Sequence, residues 1–252
     1  MHSGDVVLPE GWVLECLART DSTNETAKHI ELNDENRVSI VQADVQTAGR
    51  GRRGRAWIGR EGNLFFSLAL RVSEISRLGE YSFLTALALA EAIKEIAPDL
   101  RPECKWPNDV LIDGAKISGI LLETDGKRGI ERLIIGVGVN LMPLEGGEML
   151  YPATSLAQKG CFASKETVLS AFAKHFDYWD GIRRKNGFSP VLTAWKNIAY
   201  GLGGEITVNL PDRSLKGVFS GLDKDGCLLL NNNDGEYKIT AGDVFFGKQE
   251  KQ

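Results

Sequence analysis

The sequence predicts an α+β protein: a mixed β-sheet packed by helices, followed by a small C-terminal β-barrel. Three observations carry that expectation. Apolar strand-like runs alternate with long stretches of helical periodicity up to about residue 200. Asp113-Gly114, lying between apolar runs, marks a tight hairpin of the I′ kind. Beyond Gly201-Leu202-Gly203-Gly204, five short strands follow at close intervals, the pattern of a small barrel. The expected domains are therefore residues 1–200 and 201–252.

Taken in order, residues 5–20 read as one or two short strands, apolar at Val6, Val7 and Leu8 and again at Trp12, Val13 and Leu14. Ser22 and Glu25 have capping-box spacing for a helix to about Leu32, and Thr23 adds a hydroxyl at the same N-terminus. Val38 to Gln46 reads as a buried strand, and Asn63 to Arg71 as another after Gly62. Residues 80–97 form a buried helix stopped by Pro98. Pro107 breaks a strand just after Lys105, which puts Asn108 and Asp109 in a tight polar turn. Lys105 and Lys116 are expected on neighbouring strands flanking the Asp113-Gly114 hairpin. Two lysines in apolar strands are costly unless they meet anions. Leu133 to Leu141 is an apolar strand in which Gly136 and Gly138, on one face, admit something flat or another backbone. A loop over 151–156 leads to a long helix capped by Ser164 and ending near Lys185, and a further helix spans roughly 190–199. The last five strands are expected at 206–210, 215–222, 227–230, 237–240 and 244–246.

Composition narrows the function. An apolar fraction of 42% and a charged fraction of 25% are ordinary for a soluble globular protein. A net charge of −4 argues against a general nucleic-acid or membrane-surface role. Cys16, Cys104, Cys161 and Cys227 are far apart, as are His2, His29 and His175, so no metal motif is expected and the thiols suit a reducing compartment. No signal peptide is evident, and the longest apolar tract, around Phe83 to Ile93, is too short to span a bilayer. A cytoplasmic protein is expected.

Against that acidic background stands Thr47-Ala48-Gly49-Arg50-Gly51-Arg52-Arg53-Gly54-Arg55-Ala56-Trp57. Four guanidiniums repel one another, and the interleaved glycines leave the backbone free. The stretch is expected to stay mobile until an anionic ligand gathers it. Gly49, Gly51 and Gly54 fit a dinucleotide fingerprint, but a strand and not a helix follows, so that reading fails. A basic loop touching nucleic acid is the competing interpretation.

Together these stretches resemble the biotin protein ligases. The resemblance rests on Asp21-Ser22-Thr23-Asn24, the arginine–glycine loop from Gln46 to Trp57, and Gly62-Asn63-Leu64. It continues through Lys105-Trp106-Pro107-Asn108-Asp109, Lys116 to Glu123, and Gly136-Val137-Gly138-Val139-Asn140, from about residue 12 to the C-terminus. Some members begin with a winged helix-turn-helix. Here the Ser-Thr motif starts at residue 22, so the minimal form without DNA binding is expected.

The resemblance implies a class II synthetase-like biotin–lipoate ligase fold with an SH3-like C-terminal barrel. It implies ATP and Mg2+ as co-reactants, biotin as substrate and a biotin carboxyl carrier domain as acceptor, with no membrane partner and a homodimer as one possible assembly. For biotin it implies Ser22, Thr23, Gln46, Gly49, Arg50, Arg52, Lys116 and Gly119; for ATP or the adenylate, Arg55, Trp57, Asn63, Lys105, Asn108, Asp109 and Asn140. Lys116, Arg52, Lys105 and Asp109 would be catalytic. A lipoate or octanoyl ligase on the related fold is the alternative enzyme, against which the arginine–glycine loop speaks.

Overall fold

The computed structural model describes residues 5–32, 37–57, 61–72, 77–127, 130–144 and 152–246. His2, named above, and the first residue of the loop expected over 151–156 lie outside the described residues.

A seven-stranded sheet comes first, with strands β1 (Trp12–Thr20), β2 (Val38–Gln46), β3 (Leu64–Val72), β4 (Pro102–Lys105), β5 (Asp109–Ile112), β6 (Ala115–Lys127) and β7 (Ile130–Val139). Their spatial order is β1-β2-β3-β7-β6-β5-β4. β1 and β2 are parallel, joined by helix α1 (Thr23–His29), and every other pairing is antiparallel. The sheet is thus mixed, as expected.

One face carries the main core. Helix α2 (Leu78–Ile96) is buried along most of its length and is covered in turn by α3 (Lys165–Asn186) and α4 (Ser189–Asn197). Aromatic rings lock these layers, with Phe66 against Phe172 at 4.9 Å and Phe83 against Trp195 at 5.1 Å between centroids. Each such ring, fully buried, contributes about 1.5–3 kcal/mol. Ser164 caps α3 by accepting the Thr167 backbone N–H at 3.1 Å, as its sequence predicts.

The opposite face is covered only in part. α1 rests there on a small apolar cluster of Ala27, Val41, Ala69 and Ile134. Further along the same face, Ser67 is paired with Gly136, and Gly138 with Gly119. Paired residues project to one side, so this half of the face is stripped of bulk.

Four local expectations are corrected. Residues 5–11 hold no strand; Val6 and Leu8 pack against the core outside the sheet. α1 stops at His29; Ser22, although its N-cap residue, makes no side-chain capping bond, and the reciprocal half of the box is lost because the Glu25 carboxylate pairs with Lys28 and Arg50. Lys105 and Lys116 are not on adjacent strands, since β5 lies between β4 and β6. Asp109 opens strand β5, leaving Trp106, Pro107 and Asn108 as the turn. The Asp113-Gly114 hairpin is as expected, with both residues at positive φ, 51° and 72°.

The C-terminal strands β8 (Glu205–Asn209), β9 (Ser214–Leu222), β10 (Leu228–Asn232), β11 (Gly235–Ile239) and β12 (Asp243–Phe246) form an antiparallel five-stranded sheet in the order β11-β10-β9-β8-β12. It meets the first sheet at the Lys105–Asn108 turn. Trp106 Nε1 donates to the Gly226 carbonyl at 3.0 Å, and the Phe246 ring packs on Tyr200 at 4.6 Å.

Candidate active site

A cavity of about 360 Å³ opens over the stripped half of the sheet, between α1, the arginine loop, the Lys105–Asp109 turn and β12. Ser22, Thr23, Gln46, Arg50, Arg52, Arg55, Trp57, Asn63, Lys105, Asn108, Asp109, Lys116, Gly119 and Asn140 all line it. Gly49 does not. It stands behind the wall, where its carbonyl accepts the Trp57 N–H at 2.9 Å and a Cβ would come within 2.6 Å of the Trp57 oxygen.

One end is lined by hydroxyls and amides. Gln46 Oε1 accepts from Thr23 N at 2.8 Å and from Thr23 Oγ1 at 3.1 Å. Those two donors fix the carboxamide with its nitrogen toward Gly49, within reach of a ligand acceptor. Ser22, Thr23 and Asn24 are each less than 5% exposed, so the first turn of α1 brings desolvated polar groups to this end of the cavity.

The glycines define the floor. A Cβ on Gly138 would lie 2.6 Å from Trp57 Cζ2 and Nε1, and one on Gly119 would lie 2.9 Å from Trp57 Cζ3 and 3.0 Å from Lys116 Nζ. The flat group admitted at Gly138 is therefore the protein's own indole. Its Nε1 is buried without a hydrogen-bond partner among the described residues. At Gly136 the neighbour is the Asn24 carboxamide.

Charge converges at the other end. Across β4, β5 and β6, Lys105 is opposite Asp109 and Asp109 opposite Gly119. Lys116, three residues before Gly119, lies back along that glycine and brings Nζ to 2.6 Å from Asp109 Oδ1, an ion pair not aligned as a hydrogen bond. The ammonium also stands 5.4 Å from the Trp57 ring centroid. Lys105 is 8% exposed and faces the Phe246 ring at 5.7 Å. Burial lowers its pKa; Asp109 opposes that and Lys116 adds to it. One carboxylate thus contacts the Lys116 ammonium and acts through its charge on that of Lys105, an arrangement suited to an incoming polyanion.

The arginine loop is not the unpartnered segment its sequence suggests. Residues 52–54 make a 3₁₀ turn with Arg53 at φ 56°, closed by an Arg50–Ala56 bridge. Arg50 pairs with Glu25 and, at 3.1 Å, with Glu123. Arg52 Nη1 donates to Asn108 Oδ1 at 3.0 Å. Arg53 and Arg55 share Asp243 of β12 at 2.9 and 2.8 Å. Burial lowers the pKa of Arg52, with Asp243 and Asp109 opposing the shift. For Asp243 burial pushes upward, but the hydrogen bonds and charges of Arg55 and Arg53 prevail and hold its carboxyl below the usual range.

The three asparagines expected to face nucleotide have internal duties. Asn63 Oδ1 accepts the Leu141 and Met142 N–H groups at 2.8 and 3.0 Å, holding the end of β7. Asn140 Nδ2 donates to the Thr154 carbonyl at 3.0 Å. Asn108 joins Arg52 to the Ile120 carbonyl, 2.7 Å from its Nδ2. Sequence reasoning assigned no role to Asn24, Glu123 or Asp243. Asn24 and Glu123 lay inside recognised motifs, but Asp243 is almost 190 residues from its partners, with no local signal.

Among the described residues no His, Cys, Asp or Glu cluster is spaced to hold a metal ion. Asp109 and Asp243 are both engaged by cations. Among the described residues this donor set does not fit a resident magnesium ion.

Comparison with known proteins agrees with this geometry. Residues 16–140 match the biotin/lipoate A/B protein ligase family, and residues 201–247 match the biotin protein ligase C-terminal domain. The chain is 36% identical over 239 residues to the biotin–[acetyl-CoA-carboxylase] ligase of Paracoccus denitrificans, covering 92% of this chain and 99% of that one. It is 34% identical to the bifunctional ligase/repressor BirA of Bacillus subtilis, covering 90% and 71% respectively. The Aquifex aeolicus biotin protein ligase in complex with biotin and ATP superposes with a TM-score of 0.82 at 29% identity, over 94% of this chain and 99% of that one. The chain belongs to the biotin/lipoate A/B protein ligase family, among its biotin protein ligases.

Proposed function

We propose that this protein is a biotin protein ligase that adenylates biotin with MgATP and passes the biotinyl group to a lysine of a carboxyl carrier domain. A biotin carboxylate oxygen attacks the α-phosphorus; the bond to the β-phosphate oxygen breaks, giving biotinyl-5′-adenylate and pyrophosphate. The carrier ε-amine then attacks the anhydride carbonyl, loses a proton, and AMP leaves. The observation that carries this reading is the single cavity in which a hydroxyl-and-amide end adjoins Lys105, Lys116 and Arg52.

The residues divide by chemistry. Ser22, Thr23 and Gln46 offer the donors and acceptors that a ureido ring needs, and the floor at Gly119 and Gly138 lies under the bicycle and the Trp57 indole. Arg50 closes that end, with Gly49 behind it holding the Trp57 backbone. The first step brings two anions together, which at 4 Å and an effective dielectric near 20 costs about 4 kcal/mol per unit-charge pair. Lys116, Lys105 and Arg52 offset that repulsion where it develops. Arg55, Trp57, Asn63, Asn108 and Asn140 border the nucleotide. Asp109, beside Lys116, is placed to orient the incoming amine.

The same reading divides the chain into a catalytic domain, 1–200, and a C-terminal domain, 201–252, which the family match at 201–247 supports. It also assigns a cytoplasmic setting, consistent with four cysteines that form no disulfide. No described helix is long and apolar enough to cross a membrane. A substrate panel tests the assignment. Incubated with ATP and a carrier domain, the enzyme should attach biotin and leave lipoate and octanoate unused; preferential lipoyl transfer would assign it to the other branch of the family.

A further inference from the structure

Ser82 uses its hydroxyl differently from its counterparts in the other helices. It lies inside α2, among mostly apolar neighbours, and is 9% exposed. A hydroxyl within a helix commonly turns back onto the carbonyl four residues earlier. Thr85 of the same helix does so, 2.6 Å from the Tyr81 carbonyl, as do Ser170 in α3 and Thr193 in α4. Ser82 Oγ instead leaves its helix and donates to the Pro107 carbonyl at 2.7 Å.

That carbonyl belongs to the turn between β4 and β5, and each residue of the turn is held by a different part of the molecule. Trp106 Nε1 donates to Gly226, between β9 and β10 of the C-terminal sheet. Pro107 is held by α2 through Ser82. Asn108 is tied twice to Ile120 of β6: its carbonyl accepts the Ile120 N–H at 2.9 Å, and its Nδ2 donates to the Ile120 carbonyl at 2.7 Å. The α2 contacts also reinforce one another. Phe83, next to Ser82, packs against Gly226, where a Cβ would come within 2.6 Å of its ring. Lys105 and Asp109, the residues that flank the turn, are register partners and line the cavity; Ser82 stands outside its lining.

We propose that Ser82 is a positioning residue for the adenylation step, its hydrogen bond to Pro107 fixing the turn that presents Lys105 and Asp109 to the cavity. This rests on the assignment of those two residues to adenylation. Charges stabilise a transition state best when they are already in place before the reaction, and a shift of about 1 Å in such groups costs as much as about a hundredfold in rate. α2 is the most thoroughly buried helix on this face, so a bond from its interior ties the turn to the least yielding part of the fold. Loss of that bond leaves a desolvated carbonyl free to draw the turn toward other donors. The hydroxyl-and-amide end stands on α1 and β2, which this bond does not touch. Biotin binding is therefore spared while the chemistry slows.

Ser82→Ala is the direct test, because alanine suits a helix interior better than serine and the fold should survive. In biotin-dependent exchange of pyrophosphate into ATP, kcat should fall about five- to tenfold, with KM for biotin within about twofold of wild type and the melting temperature little changed. Ser82→Thr keeps the hydroxyl and should recover most of kcat. Ile93→Val, which trims a fully buried side chain further along α2, should lower the melting temperature and leave kcat as in the wild type. Full kcat in Ser82→Ala, no recovery in Ser82→Thr, or an equal loss in Ile93→Val would overturn the proposal and leave Ser82 as a packing contact. A wild type that shows no biotin-dependent exchange would instead overturn the functional assignment beneath it.

Discussion

Replacing Asp243 by Asn should weaken nucleotide use without unfolding the protein. Asp243 on β12 accepts from Arg53 at 2.9 Å and from Arg55 at 2.8 Å, and its side chain is 17% exposed against 37% for each arginine. Half-exposed ion pairs of this kind contribute about 0.5–1 kcal/mol each. Two of them on one carboxylate give about 1–2 kcal/mol, spent on holding the loop over the cavity and not on the core. Since 1.4 kcal/mol is tenfold in affinity, KM for ATP in biotin-dependent pyrophosphate exchange should rise roughly 5- to 30-fold. The melting temperature should move little, because Asp243 lies at the edge of the C-terminal sheet. The defect should shrink as salt is raised, since screening already weakens the wild-type pairs. A drop in KM would refute the reasoning by showing that Asp243 competes with phosphate for the arginines. An unchanged KM at any salt would show that the C-terminal sheet does not hold the loop.

Lys105 gives a pH signature. Burial lowers its pKa, so its charge is lost at a lower pH than that of an ordinary lysine near 10.4. The alkaline limb of 1/KM for ATP should therefore fall below that value, and Lys105→Arg, which stays charged, should move the limb upward; an unmoved limb would assign it to another group. Gly138→Ala should force the Trp57 indole off the floor, because the new Cβ would lie 2.6 Å from two of its atoms. Overpacking of this kind costs about 1–3 kcal/mol, read as a loss of the Trp57 fluorescence response to biotin and ATP, and a retained response would contradict the packing. Arg52→Gly removes the contact to Asn108 and a half-buried cation lining the cavity. It should release the adenylate early and label bystander lysines, which full retention of the intermediate would exclude.

Much of this was legible in the sequence, for physical reasons that differ by element. The β2 and β3 runs, the I′ turn at Asp113-Gly114 and the Ser164 cap are set by nearest neighbours, and local chemistry named them correctly. The C-terminal strands were equally local, each bounded by its own turn. The failures were non-local. Ser22 and Glu25 have capping-box spacing, yet Glu25 is drawn to Arg50, a residue brought near only by the fold. Charge repulsion predicted a loose arginine loop, because the carboxylates that partner it come from α1, β6 and β12. Lys116 meets Asp109, the register partner of Lys105, although a strand separates the two lysines, an outcome fixed by register and not by spacing. The cavity residues were found because their motifs matched a family; what each one touches had to come from the fold.

The account stands on one cavity holding a carboxylic acid and a nucleoside triphosphate together against their mutual repulsion. Exchange of labelled pyrophosphate into ATP measures that step alone, before any carrier protein is involved. Exchange should be strictly dependent on biotin and should fall at least tenfold in Lys116→Met, which removes the cavity ammonium 2.6 Å from Asp109. Exchange that proceeds equally well without biotin, or at full rate in Lys116→Met, would contradict it.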